Sequence, residues 1–322
     1  MGRVVLVTGV SSQLAGRLAR QLVSNEQVDK VVGVDVTPPT TDLGGVKFVR
    51  VDIRTPAIAK VLAVEEVDTV IHMDVVPHRR GGPTKETNVI GTMQLLAACQ
   101  RLDLIQKLII RSSCAVYGAS PKDPALFPES HTARSGSAVG FSREVIEVES
   151  YVRGFSRRRP EITITTLRIA HMLDTNINST LSSYISGPFI PAVAGYDPRI
   201  QLAHVDDVLK VFEIAVGEDR PGTFNVGGDG VILLSQIARR LAKPIVPLPQ
   251  VGFASVAQRL LSPFKVHIPT AMVRLLMFGN VMETRALREI FGYEPQFTTT
   301  DVFSEFEMKT EPGVLVHLAG GR

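Results

Sequence analysis

Residues Met1 to Val23, MGRVVLVTGVSSQLAGRLARQLV, constrain this chain more than any other stretch. A run of β-forming residues (Val4, Val5, Leu6, Val7) meets Thr8-Gly9 and a Ser-rich turn. Leu14, Leu18, Ala19 and Leu22 then recur at helical spacing. A helix that opens directly off a strand aims its unpaired N–H groups and the positive end of its dipole at the strand's carboxyl edge, where a pyrophosphate can sit. Anion binding by Gly9, Ser12, Gln13 and Leu14 is the first expectation. A dinucleotide turn of the TGxxGxxG type wants glycine at 9, 12 and 15, and this chain has Gly9, Ser12 and Ala15. Gly9 supplies the turn, and Ala15 still permits close helix–strand packing. Ser12 puts a side chain where backbone would approach phosphate and offers a hydroxyl in return. One glycine alone does not separate a dinucleotide site from an ordinary βα turn.

Asp35 adds weight to the first alternative. Lys30 to Asp35 reads as a second buried strand ending in a carboxylate, about where a Rossmann unit places the acid that accepts both ribose hydroxyls. A carboxylate there repels a 2′-phosphate, and no basic residue follows it directly, so the expected cofactor is NAD rather than NADP.

Further strands are expected at 46–52, 68–72, 107–111 and 162–169, with helical segments at 58–64 and 86–98 between them. That alternation predicts an α/β chain with a Rossmann-type, doubly wound parallel sheet and a smaller C-terminal substrate-side domain. The expected division is 1–170, joined by 201–230, against 171–200 and 231–322. With 322 residues, 44% hydrophobic, the chain is long enough to bury such a core. The net charge of +3 is diffuse and argues against nucleic acid as a partner. Two cysteines, Cys99 and Cys114, make no disulfide framework, no metal-ligand cluster is evident, and no signal layout opens the chain. A cytoplasmic protein is expected.

The strand at 107–111 runs into SSCAVYG at 112 to 118, and here a resemblance becomes specific. TGxxxxxA at the start (Thr8-Gly9 and Ala15), Asp35, VDIR at 51 to 54, VIH at 70 to 72, NVIGT at 88 to 92, LR at 167 to 168, HVDD at 204 to 207 and GTFNVGG at 222 to 228 share one order. That order resembles the extended short-chain dehydrogenases/reductases, in particular the NAD-dependent epimerase/dehydratase group typified by UDP-glucose 4-epimerase. The resemblance implies NAD as cofactor and a nucleotide-sugar or related small molecule as substrate. It also implies cofactor contacts at Gly9, Ser12, Gln13, Leu14, Asp35, Asp52, Ile53, Met73, Asn88 and Arg143. A homodimer through helices around 86–100 and 137–152 is a further implication.

The family's catalytic set is a Ser or Thr after the fifth strand and YxxxK on the next helix. Ser113 matches the serine. Gly140 and Ser142 keep the register of YGxSK, which puts Val139 at the tyrosine position and Arg143 at the lysine position. Valine cannot exchange a proton, and arginine stays charged. The resemblance therefore implies weak or absent standard epimerase activity. The alternatives are a substitute acid/base, drawn from Tyr117, His131, Cys114 or His72, or a non-catalytic NAD-responsive binding protein. Tyr117 and Lys122 imitate YxxxK, but they stand five apart across Pro121 and would not share a helical face.

Other departures qualify the resemblance. Asp74 stands where the family has a small residue against the cofactor, and is expected to be solvated or paired with Arg79 or Arg80. The family's NVYGP is absent, with His171-Met172-Leu173-Asp174 in that stretch. Arg153 to Pro160 is expected as a basic loop, HVDD as a helix start of structural role, and Ser235 as a helix cap. Residues 251–282 are apolar, with Arg259, Lys265 and Arg274 and no acid. They suit substrate-side helices or a dimer contact, with peripheral membrane contact as the alternative.

Overall fold

The β-formers after Arg3 build the central strand of a sheet, because a parallel strand covered on both faces needs a continuous apolar run. A computed structural model describes residues 2–77, 84–131, 138–177, 179–264, 266, 268 and 270–310. Strands β1 (Arg3–Thr8), β2 (Val28–Asp35), β3 (Lys47–Arg50), β4 (Thr69–His72), β5 (Lys107–Ser113) and β6 (Thr163–Ile169) join the strand Gly222–Val226 in seven-stranded order. From one edge the order is Gly222–Val226, β6, β5, β4, β1, β2, β3. β1 pairs in parallel with both β2 and β4, so the chain reverses its winding direction beside the Gly9 turn. Ligands of open α/β sheets bind at that switch point, outside the carboxyl ends of the strands.

Helices α1 (Gln13–Val23), α2 (Ala57–Val64), α3 (Thr92–Gln100) and α4 (Phe141–Arg158) follow the first strands. α1 buries Leu14, Ala15, Leu18, Ala19 and Leu22, the stripe read from spacing. Several boundaries differ from expectation. β5 continues to Ser113, and β3 stops at Arg50. The segment 86–98 is not α-helical throughout, since Glu86–Gly91 is wound as a π-helix before α3 begins. Arg153 to Arg158 lie on the last turns of α4 rather than in a loop, the charges forming its exposed side and basic end. Ser235 is not a cap. The Gln236 side chain accepts from the Leu233 N–H (2.9 Å), while Ser235 donates through N and Oγ to Asp197.

The chain divides into two compact units, one of residues 1–113, 143–168 and 208–224, the other of 114–142, 169–207 and 225–322. Residues 114–142, 169–170, 201–207 and 225–230 thus fall in the second unit, outside the expected boundaries. The second unit carries α5 (Thr180–Ile185), the start of α6 (Val205–Gly217), α7 (Leu234–Arg240), α8 (Phe253–Leu261), α9 (Thr270–Phe278) and α10 (Thr299–Met308). Its core packs Tyr184, Ile190, Leu202, Phe253, Leu276 and Phe303. α8 buries Phe253, Ala257 and Leu261 there. No helix among the described residues is long and apolar enough to cross a membrane. HVDD opens α6 as read. The His204 ring accepts from the Asp206 N–H, and the Asp207 carboxylate takes Tyr293 Oη–H and the N–H groups of Gln296 and Phe297.

One buried polar chain sets the switch point. Thr92 donates its hydroxyl to the Asn88 carbonyl and so receives Nε2–H of His72 (2.9 Å), which leaves Nδ1 to accept from the Thr8 hydroxyl (2.8 Å). The Thr8 oxygen in turn accepts the N–H groups of Met73 and Asp74 (3.0 and 3.3 Å). His72 is fully buried, and burial pushes its pKa from 6.5 down to about 4. Between those values an unfolded chain binds a proton that the native ring does not, so stability falls as pH drops from 6.5 toward 4. The contribution reaches about 3 kcal/mol. Urea midpoints across this interval check it: His72→Gln flattens the slope, and equal slopes in both proteins would assign the loss to other groups.

Candidate functional site

The turn after β1 is built for close approach. Gly9 has φ of +69°, and a Cβ there would come within 3.2 Å of the Asp74 backbone Cα. Ser12 is the N-cap of α1: its Oγ donates to the Gly9 carbonyl (2.8 Å) and accepts the Ala15 N–H (3.4 Å). The Gly16 N–H goes to the Ser12 carbonyl. The N–H groups of Gln13 and Leu14 are left without a protein partner among the described residues, at the positive end of the helix. Ser12 therefore closes the turn on itself, and its hydroxyl is already engaged. Ala15 is buried as expected, and the closest approach of α1 to the turn is at Gly16, where a Cβ would meet the Val10 carbonyl oxygen at 2.9 Å.

Asp35 ends β2, buried, with Oδ1 taking the N–H groups of Val36 (2.7 Å) and Thr37 (3.3 Å) and Oδ2 that of Ser11 (3.2 Å). The acid and the glycine turn are thus one construction. A basic residue is close by after all, because Arg50 is its β3 partner across the ladder. Arg50 points its Nε at the Val36 carbonyl (2.9 Å).

The other expected cofactor contacts are placed variously. Asp52 grips Arg54 through both oxygens, which raises the guanidinium pKa, and Arg54 continues to Glu86 (3.1 Å). Ile53 is buried beneath Gly91, and Met73 is fully buried at the end of β4. Asn88, also fully buried, holds both the N–H and the carbonyl of Val76 and donates to Glu144 (2.7 Å). It braces the segment after β4 against α4. Asp74 is not solvated: only 7% exposed, it lies against Gly9, and its charge supports the Arg111 guanidinium. Burial pushes that guanidinium down to about 10. Arg79 and Arg80 lie outside the described residues.

α4 starts at Phe141, and Gly140 has φ of +55°, so Val139 precedes the helix and does not share a face with exposed Arg143. Ser142 holds the register by donating to the Ala115 carbonyl (2.6 Å). Ser113, at the end of β5, is half-buried. Beneath it, sequence reading missed a buried ion pair. Glu149 of α4 takes Arg168 of β6 through both oxygens (2.9 and 2.7 Å) and accepts from Ser112 (2.6 Å). Only Arg168 had a signal, as the family's LR.

The substitute acids and bases separate clearly. His72 is sealed in its threonine bridge. Tyr117 is fully buried, stacked on Phe127 at 4.8 Å, and donates to Asn225 Oδ1 (2.6 Å), which agrees with a role in the turn. His131 stands edge-on to Phe127 with a buried, unpartnered Nε2. Cys99 is inert, burial pushing its thiol up to about 12. Cys114 differs: its Sγ is 3.7 Å from His171 Nε2, and Asn280 contacts the same nitrogen. Among the described residues no group of three or more His, Cys, Asp or Glu could hold a metal ion.

The sequence profile of the NAD dependent epimerase/dehydratase family matches residues 5–227. An uncharacterised protein of Mycobacterium tuberculosis is 39% identical over 312 residues, covering 94% of this chain and 83% of that protein. Two solved structures share the fold. One is a dTDP-glucose 4,6-dehydratase from Bacillus anthracis in complex with NAD (TM-score 0.72, 15% identity, 95% of this chain and 96% of that one). The other is a UDP-glucuronic acid 4-epimerase from Bacillus cereus in complex with UDP-glucuronic acid and NAD (TM-score 0.71, 16% identity, 95% and 99%). The motif order and the sheet order lead to the same place: this chain belongs to the NAD dependent epimerase/dehydratase family.

Proposed function

We propose that the protein binds NAD at the β1–α1 turn and uses it on a nucleotide-sugar, by a route that does not employ the family's tyrosine and lysine. The observation that carries the reading is the joined construction of Gly9, the open amides of Gln13 and Leu14, and Asp35. Those groups fit a dinucleotide: two N–H donors at a helix N-terminus for the pyrophosphate and a strand-end carboxylate for ribose hydroxyls. When bound, NAD supplies a hydride acceptor and donor. The protein's part is to hold the ribose and pyrophosphate, orient the sugar and move the hydroxyl proton. UDP-glucuronic acid on the Bacillus cereus structure supports the substrate class.

Val139 has no ionisable group, and its place before α4 removes the shared face on which a tyrosine–lysine pair depends. Standard 4-epimerase turnover is therefore slow in this reading. The proposal includes a homodimer, supported by exposed Ile90 and Met93 on the 86–100 segment and exposed Tyr151 on α4.

Calorimetry tests the cofactor: NAD binds more tightly than NADP, and Asp35→Ala weakens NAD by about ten- to a hundredfold through lost charge-assisted hydrogen bonds. NADP binding equal to that of NAD would defeat the assignment. Turnover of UDP-glucose by Val139→Tyr with Arg143→Lys rises less than ~10-fold, because the tyrosine enters off the helix. A gain of the full ~10²–10⁴ expected from restored acid/base catalysis would mean that the helix extends through 139. In sedimentation the protein runs as a dimer that Met93→Glu dissociates, and a wild-type monomer at every concentration contradicts that part.

A further inference from the structure

Between Asp229 and Glu283 the chain carries no acidic residue, while Arg239, Arg240, Lys243, Arg259, Lys265 and Arg274 are spread through the interval. All of it lies in the second unit, and α8 is near its centre. That helix buries Phe253, Ala257 and Leu261 at four-residue steps, so one apolar stripe is already committed to the core. One position back around the helix, Val256 and Leu260 form a second stripe, and both are exposed. A tighter helical turn, Ser262–Phe264, carries the chain on. Phe264 extends the second stripe at the same step, exposed and edge-on to Phe189. In the turn before α8, Val251 is 92% exposed beside Gly252, whose φ is +78°.

Apolar side chains scattered singly over a surface need no partner, but four along one short segment form a patch that does. Arg259, next to Leu260, is exposed and makes no ion pair among the described residues. The polar side chains of this segment are turned to its own backbone. Gln258 donates to the Val266 carbonyl (3.1 Å) and accepts the Ile268 N–H (2.8 Å), and Ser262 donates to the Arg259 carbonyl (3.1 Å). The patch therefore offers apolar surface and positive charge, with little directional hydrogen bonding.

We propose that α8 and the turn before it dock the protein on the surface of an anionic phospholipid bilayer. Val251, Val256, Leu260 and Phe264 enter the boundary between headgroups and acyl chains, and Arg259 lies among the headgroup phosphates. A bilayer answers both halves of the patch at once, with apolar chains for the stripe and a negative surface potential for a segment without acids. The arginine stem lies along the apolar surface while its charge stays in the headgroups. A second copy of this chain fits less well. A two-fold contact would set the patch against itself and bring cation to cation, with no acid in the segment to answer. Because the other stripe of α8 belongs to the core, docking is reversible and needs the apolar and the charged contributions together. The surface is independent of the cofactor and substrate reading.

The chain contains no tryptophan, so Phe264→Trp places a single reporter in the full-length protein. With vesicles of equimolar phosphatidylglycerol and phosphatidylcholine its emission moves to shorter wavelength and is quenched by brominated acyl chains. Vesicles of phosphatidylcholine alone do neither. In co-sedimentation the wild type binds the anionic vesicles at least ~10-fold more tightly than the neutral ones, and added salt removes most of the difference. Arg259→Glu weakens that binding about tenfold, as does the pair Val251→Asp with Leu260→Asp. These positions are exposed, and an unchanged unfolding midpoint checks that each variant is folded. Wild-type protein that ignores both vesicles, equal binding to both, or full binding by the two variants overturns the proposal. So does sedimentation without lipid in which the paired aspartates dissociate a wild-type dimer, which would give the patch to a second copy.

Discussion

The Thr8–His72–Thr92 chain is the interaction on which the nucleotide half depends. Parallel strands fix their own spacing through backbone hydrogen bonds, but nothing in the ladder fixes the loops that leave their ends. A neutral imidazole with a hydroxyl on each nitrogen ties the end of β1, the end of β4 and the start of α3 together. The Thr8 oxygen also receives the next two N–H groups after β4, so the Gly9 turn and the 73–76 segment move as one piece. Full burial strengthens each hydrogen bond and makes any unmet donor costly. Asn88, four residues before Thr92 and bonded to its hydroxyl through the backbone carbonyl, then anchors Val76 to α4 through Glu144.

Charge is arranged around this frame in layers. The open amides of α1 and the helix dipole offer positive potential, and buried Asp74 against Gly9 offsets it. Arg111, at the end of the neighbouring strand, bears the opposite charge. Further across the sheet, the Ser112–Glu149–Arg168 group keeps the ends of β5 and β6 in register with α4. Buried carboxylates survive here because each lies beside a guanidinium or accepts several N–H groups.

What the sequence disclosed, and what it withheld, follows from range. Thr8-Gly9, the α1 stripe and Asp35 are local patterns, and each lies where spacing put it. Motif order disclosed the family because it samples the whole chain. Arg153 to Arg158 looked like a loop because a basic run and the exposed face of a helix have the same composition. The π-wound Glu86–Gly91 leaves no periodic signature distinct from an α-helix. Val139 looked like a helical position because register was counted from Gly140 and Ser142, whereas Gly140 itself turns the chain with positive φ. His171 and Asn280 stand 109 residues apart, and no local pattern could join them.

The central claim is that the β1–α1 turn is a working dinucleotide site despite Ser12 and Asp74. Backbone amide NMR of the full chain during titration with NAD tests this most directly, since it reads the groups that must touch the pyrophosphate. The account predicts that the amides of Gln13 and Leu14 shift first and furthest, with Gly9 and the residues beside Asp35 following at the same concentration of NAD. Saturable shifts confined to other parts of the chain, with Gln13 and Leu14 unmoved, would contradict it.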